Sequence, residues 1–215
     1  MRDRVYTPVD RMLIGIQRSL RTVMPPAAHT ASRPYPATGI QEAHLEDSER
    51  KLAGRLMRVN HAGEVAAQAL YQGQGLTGRD PDVRRAMAVS AQEEIDHLAW
   101  CETRLAELDT PTSRLDPFWF LGSFAIGFGA GLLGDAFSLG FVAETEHQVV
   151  EHLQGHLARL PAHDTRSRAV VEQMQKDEAH HGDTARRAGG RPMPAPVRAM
   201  MRLTAKVMTG TAYWI

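Results

Sequence analysis

Four glutamates and two histidines recur along this 215-residue chain at spacings that suit metal chemistry. Glu64 is followed 30 residues later by Glu94, with His97 three positions on. Glu146 is followed 32 residues later by Glu178, with His181 three positions on. The chain thus carries one unit twice. On a helix, positions i and i+3 lie about 60° apart, so the Glu and His of each pair reach one region. Carboxylates can bridge two cations, and each imidazole can cap one. A mixed oxygen and nitrogen set without thiolate suits iron or manganese better than structural zinc. Four carboxylates also balance the charge of two ferrous ions. A lone Glu-x-x-His is common on solvated helices; two of them, each preceded by a glutamate one hairpin earlier, are specific. Cys101 is the sole cysteine, which excludes an internal disulfide framework and a cysteine-cluster metal site.

Neighbouring residues compete for these roles. Glu93, Glu144 and His180 adjoin the chosen six, but none fits both the apolar stripe and the i+3 spacing as well. His61 and His152 read either as partners of the ligands or as surface residues, and the surface reading is favoured. Tyr71 lies two turns from Glu64 and reads as core rather than as a redox site.

The elements that position these side chains are helices. Ala53, Met57, Asn60, Glu64, Ala67 and Tyr71 form one stripe, and Val83, Met87, Ser90, Glu94, His97, Cys101 and Leu105 a second. Val142, Glu146, Val149, Val150, Leu153 and Leu157 form a third, and Val171, Met174, Glu178, His181 and Ala185 a fourth. Steps of three, four and seven keep each stripe on one face. A glutamate on a core face is unfavourable unless paired or metal-bound. The spacing predicts helices over about 42–74, 80–108, 135–160 and 164–189, with Asp80-Pro81 as a start signal and Gly189-Gly190 as a stop. Short loops join the first pair and the second pair, and a long apolar connection joins the two hairpins. The expected fold is all-α: a ferritin-like four-helix bundle with one long crossover, plus amphipathic N- and C-terminal helices. Glu, then Glu-x-x-His, twice over, is the ligand pattern of ferritin-like di-iron and di-manganese proteins. We expect a single domain over 1–215, with a core bundle at about 42–190 and basic amphipathic ends at 1–24 and 196–209.

Charge is neutral overall, with 25 basic and 25 acidic side chains, which argues against nucleic acid as a partner. It is unevenly placed. Residues 1–40 hold six arginines against two aspartates, and residues 186–215 hold six bases and no acid. The N-terminal apolar run, Met12 to Ile16, is too short for a secretory signal. A helix is expected over 9–23, then a Pro-rich linker over 25–40. After Pro196, Val197, Met200, Met201, Thr204, Val207 and Met208 are expected on one face, with Arg198, Arg202 and Lys206 on another. That pattern fits either a membrane interface or packing on the bundle. Pro117 to Gly134 is a run of 18 uncharged residues, and all six phenylalanines lie in it or just beyond. Its length touches the lower limit for a spanning helix, but its five glycines and the following Asp135 argue against spanning. Packing in the core, insertion into one leaflet or an apolar substrate mouth are the alternatives.

Several stretches carry a family resemblance. They are Arg58-Val59-Asn60-His61-Ala62-Gly63-Glu64 with Tyr71-Gln72-Gly73-Gln74, then Glu93-Glu94-Ile95-Asp96-His97-Leu98. Phe141-Val142-Ala143-Glu144-Thr145-Glu146 and Asp177-Glu178-Ala179-His180-His181 follow. Here the sequence resembles the 3-demethoxyubiquinol 3-hydroxylases, di-iron monooxygenases of ubiquinone biosynthesis. The resemblance implies ring hydroxylation of a polyprenyl methoxy-methyl-benzoquinol with O2, two iron ions, and electrons from NADH or the quinol itself. It implies iron ligands at Glu64, Glu94, His97, Glu146, Glu178 and His181. It also implies contact with a membrane surface, on the cytoplasmic face of a bacterial inner membrane, and with other ubiquinone-biosynthesis proteins. The competing classes are a ferritin-like iron-binding oxidase, a non-catalytic quinone-presenting factor and a di-manganese catalase.

Overall fold

A computed structural model describes residues 28–215 together with Gln17 and Thr22. The helix expected over 9–23 otherwise lies outside the described residues. Among those residues the chain is helical, without strand: α1 (Asp47–Thr77), α2 (Pro81–Glu107), α3 (Asp116–Leu132), α4 (Asp135–Arg159), α5 (Thr165–Arg187) and α6 (Ala195–Ala212).

Local chemistry sets the ends. Glu46 and Glu49 form a capping box at the start of α1, and Glu49 accepts the Glu46 N–H at 3.0 Å. The sequence predicts this helix from about 42. The capping box starts it later, and Glu42 instead accepts two bonds from the guanidinium of Arg104. Asp80 caps α2 by accepting the Asp82 N–H at 2.8 Å, ahead of Pro81. Asp164 caps α5 through the Ser167 N–H at 3.0 Å. The chain leaves α5 through Gly189, whose φ of +102° favours glycine.

α1 and α2 pair as one hairpin, and α4 and α5 as the other. Their stripes meet in two apolar clusters. One contains Leu56, Met57, Trp100, Leu105, Leu153, Val171 and Met174. The other contains Tyr71, Met87, Leu139, Val142 and Ala185. On each of the four helices the acidic positions fall between the two clusters. The polar centre is therefore closed at both ends by side chains that exclude water.

The crossover contains α3. Its 17 residues are apolar apart from Asp116 and Ser123, yet no described helix is long and apolar enough to cross a membrane. α3 lies against α1 through glycines. A Cβ on Gly127 would stand 2.3 Å from the Leu70 carbonyl oxygen, and one on Gly73 would stand 2.4 Å from that of Phe124. Only glycine permits this approach of two backbones. The opposite side of α3 presents Phe118 (77% exposed), Leu121 and, just beyond the helix, Leu133.

Two parts of the sequence pattern read differently in three dimensions. The described part of the expected linker is a packed strap. Ala37 and Leu45 are buried in the larger core cluster, with Tyr35 and Ile40 against them. Arg166 donates to the Ala37 carbonyl and contacts that of Ile40, which holds the strap to the bundle. In α6 the expected apolar face divides. Val197, Met201 and Met208 are half-buried, whereas Met200, Thr204 and Val207 are exposed, as is Leu203 outside that face, beside Arg202 and Lys206. α6 lies along the bundle surface, so only a narrow stripe finds cover.

Candidate metal centre

The structure brings all six sequence-derived side chains together, each buried. Glu64 comes from α1, Glu94 and His97 from α2, Glu146 from α4, and Glu178 and His181 from α5. They form two overlapping groups whose ligand atoms lie within 4.8 Å of one another. One group is Glu64, Glu94, His97 and Glu178; the other is Glu94, Glu146, Glu178 and His181. Glu94 and Glu178 belong to both, so they stand where bridging carboxylates would. Glu64 and Glu146 each serve one side.

Both imidazoles turn the same nitrogen inward. His97 Nδ1 lies 3.1 Å from Glu178, 3.2 Å from Glu94 and 3.3 Å from Glu64. His181 Nδ1 lies 3.1 Å from Glu178 and 3.4 Å from Glu94. The outer nitrogens are also engaged. His97 Nε2 is 2.9 Å from Asp177, and His181 Nε2 contacts Glu93. Each outer carboxylate belongs to the residue just before the shared glutamate of the opposite helix. The repeated unit is thus an acid, Glu, two residues and His: Glu93-Glu94-x-x-His97 and Asp177-Glu178-x-x-His181. Both acids are present in the sequence, but their pairing across helices is not visible there. Of the adjacent histidines, His180 is exposed and His181 is buried facing the carboxylates. Glu144 points to Gln148 (2.7 Å) and Arg202 (3.8 Å), away from the centre.

The electrostatics show how unfavourable this cluster is without cations. Burial, then the neighbouring Glu94 charge, holds Glu64 well above the usual carboxylate range. Burial, then Glu178, does the same to Glu146. Burial would raise Glu94 too, but His181 and His97 hold it below its ordinary value. Burial opposes the charged imidazoles, yet the facing carboxylates raise both, His181 to about 12. Among the described residues Glu146 Oε2 is buried without a hydrogen-bond partner, and Glu94 Oε1 meets His181 Nδ1 at 3.4 Å. The orphaned Glu146 oxygen, the inward nitrogens and the shared carboxylates fit two divalent cations.

One residue does more than its sequence reading says, and another departs from it. Tyr71 is core, but it also donates its hydroxyl to Glu146 Oε1 at 2.5 Å. His61 is buried rather than on the surface. Its Nδ1 lies 3.2 Å from Asp116 and its Nε2 3.6 Å from Glu102, so it joins α1, α2 and the start of α3. Burial opposes its charge, but these two acids raise it to about 9. Neither contact is local in sequence, which is why spacing alone missed them. His152 is partly buried against His156, with ring centroids 4.0 Å apart, and takes no part in the cluster.

Comparison with known proteins agrees with this geometry. A family profile described as Ubiquinone biosynthesis protein COQ7 matches residues 51–212. A protein of Nitrosococcus oceani is 54% identical over 215 residues, the full length of both chains. One of Cupriavidus pinatubonensis is 54% identical over 207 residues, 96% of this chain and 100% of the relative. One of Stutzerimonas stutzeri is 53% identical over 213 residues, 99% of each. All three relatives carry the name 3-demethoxyubiquinol 3-hydroxylase. With the profile spanning most of the chain and the relatives matching it nearly end to end, this protein belongs to the COQ7 family of ubiquinone biosynthesis proteins.

Proposed function

We propose that this protein hydroxylates the ring of a 3-demethoxyubiquinol with O2, using two iron ions. Glu64, Glu94, His97, Glu146, Glu178 and His181 would hold the ions, with Glu94 and Glu178 between them. The observation that carries this is the pair of overlapping Glu/His groups sharing two buried carboxylates. Two ferrous ions, when bound, supply the redox chemistry that activates O2. The reaction places one oxygen atom on the ring and reduces the other to water with two electrons, from NADH or from the quinol itself.

The chain's own residues would exclude water and hold the ligands. The two apolar clusters keep the centre dry. Tyr71 fixes Glu146 and holds a proton at its hydroxyl beside that carboxylate. A cavity of about 10 Å³, room for about one water, lies between α1 and α4 beside Tyr71 and Glu146 and is lined by Ala67, Leu70, Gln74, Phe141, Val142 and Thr145.

A polyprenyl tail dissolves in a bilayer, so the enzyme would work at a membrane surface. Phe118 and Leu121 of α3 and Leu203 and Val207 of α6 are exposed apolar residues suited to that contact. Arg202 and Lys206 would meet anionic headgroups. We place the protein peripherally on the cytoplasmic face of a bacterial inner membrane, beside other enzymes of the pathway.

Purified protein loaded with ferrous iron, given a reductant, O2 and demethoxyubiquinol, is expected to yield the hydroxylated quinol. Iron oxidation without that product would favour a ferritin-like oxidase. A strain lacking the gene is expected to accumulate demethoxyubiquinone. If Glu178→Ala loses iron yet restores ubiquinone fully, the role is quinone presentation instead.

A further inference from the structure

The cluster is symmetric in its inward atoms and asymmetric around them. Glu93, behind His181, is 37% exposed, and His181 is the one cation beside it among the described residues. Asp177, behind His97, is 15% exposed and held from two sides. Gln173 donates to its Oδ1 at 2.9 Å. Arg33 Nη1 donates to its Oδ2 at 2.9 Å, the same oxygen that faces His97 Nε2.

Arg33 comes from the strap ahead of the bundle, before the residues the family profile spans. Its Nε donates to the buried Asp96 at 2.7 Å, and the Ser32 N–H donates to the other oxygen of Asp96 at 2.6 Å. Its guanidinium lies 4.7 Å from the centre of the Trp100 ring, which in turn lies 5.3 Å from the His97 ring. Two carboxylates on two helices and one aromatic face therefore fix a single planar cation. Among the described residues nothing equivalent stands behind His181.

We infer that Arg33 is a positioning residue that makes the two halves of the centre unequal. It clamps α2 to α5 through Asp96 and Asp177, and through Asp177 it fixes His97 with Nδ1 turned to the carboxylates. The His97 half is preformed, whereas among the described residues the outer nitrogen of His181 is backed by a partly exposed glutamate alone. The two metal ions then bind with different affinity, the His97 half first. Partners that orient a ligating imidazole typically change metal affinity by about 10- to 100-fold.

This inference rests on the two-metal reading above, and a titration of the full-length metal-free protein with Co(II) separates the two. Wild type is expected to take two equivalents in two steps, each with its own visible absorption. Arg33→Gln should weaken the first step by about tenfold and merge the steps. Asp177→Asn should act in the same direction. Glu93→Gln should leave the first step in place and weaken the second. Tyr35→Phe, which removes another strap contact (Tyr35 Oη to Glu107, 3.2 Å), should leave both steps unchanged. If Arg33→Gln does not fold, Arg33→Lys carries the test, since a single ammonium cannot span both carboxylates. A tight first step retained in the Arg33 variant, or lost equally in Tyr35→Phe, overturns the inference while the two-metal reading stands. A wild type that binds no pair of Co(II) ions overturns both.

Discussion

Tyr71 and Glu146 share a bond between a neutral donor and a carboxylate inside a dry core, so removing the donor leaves a charge without its partner. Bonds to charged groups contribute about 1.5–3 kcal/mol. Tyr71→Phe is therefore expected to keep its helices while losing about tenfold or more in metal affinity or hydroxylation, read by iron titration and product yield. Proton linkage at the same residues gives a second expectation. Burial and like charges raise Glu64 and Glu146, and the facing carboxylates raise His97 and His181 against burial. The folded metal-free protein thus holds protons that the unfolded chain releases. Stabilisation by the raised histidines is full below their unfolded pKa and fades as pH climbs towards the folded value, about 12 for His181. The raised carboxyls penalise the fold over the same climb. Glu94, shifted down, acts the opposite way, but only as pH falls below its unfolded value near ~4.3. His152 and His156, pushed by burial down to about 4 and about 2, act the other way as pH rises to the ordinary histidine value. Between about pH 7 and pH 8, where the raised histidines prevail, the Tm of the metal-free protein should fall as pH rises, and metal binding should tighten. Thermal melts and Co(II) titrations at several pH values check both signs.

At the scale of the element, α3 joins the exposed surface to the helix that carries Glu64. The join depends on backbone contact. Gly127→Ala would press a Cβ against the Leu70 carbonyl and should lower stability by about 1–3 kcal/mol. Gly122, on the same helix with nothing within 4 Å of its would-be Cβ, gives the opposite result: Gly122→Ala should stabilise by up to about 1 kcal/mol. Thermal unfolding of the pair decides whether close crossing, rather than glycine content, sets the stability of α3. The sequence shows five glycines here and reads them as evidence against a spanning helix. Only the packed pair of helices reveals that some are contact points and others are open. The helix starts and stops were legible because Asp80-Pro81, Asp164 and Gly189 act locally. The strap over 28–46 was not, because what holds it lies far away in sequence, at Asp96, Arg104, Arg166 and Asp177.

At the scale of the whole molecule, apolar residues of α3 and α6 remain uncovered on the bundle. Phe118→Glu with Leu121→Glu is expected to weaken sedimentation with anionic phospholipid vesicles by at least about tenfold, since each removes an exposed apolar side chain that lipid would cover. Metal binding should be unchanged in that variant. Arg202→Glu should weaken vesicle binding chiefly at low salt, because an exposed charge is screened within about 10 Å at 0.1 M ionic strength.

The sequence by itself determined the all-α bundle, its duplication and the six residues that converge at its centre. Helical periodicity and the i+3 spacing are local rules, and each stripe must face a core whatever the partner helix is. Tertiary structure alone decided which carboxylates stand between the two halves, which nitrogen of each imidazole faces inward, and which acid stands behind it. Those are contacts between helices, set by crossing geometry and by side chains far apart in the chain. The same holds for Arg33. In sequence it is one arginine in a Pro-rich stretch; in the fold it is a charge shared by two aspartates beside the buried Glu/His cluster, because folding brings 33, 96 and 177 to one point.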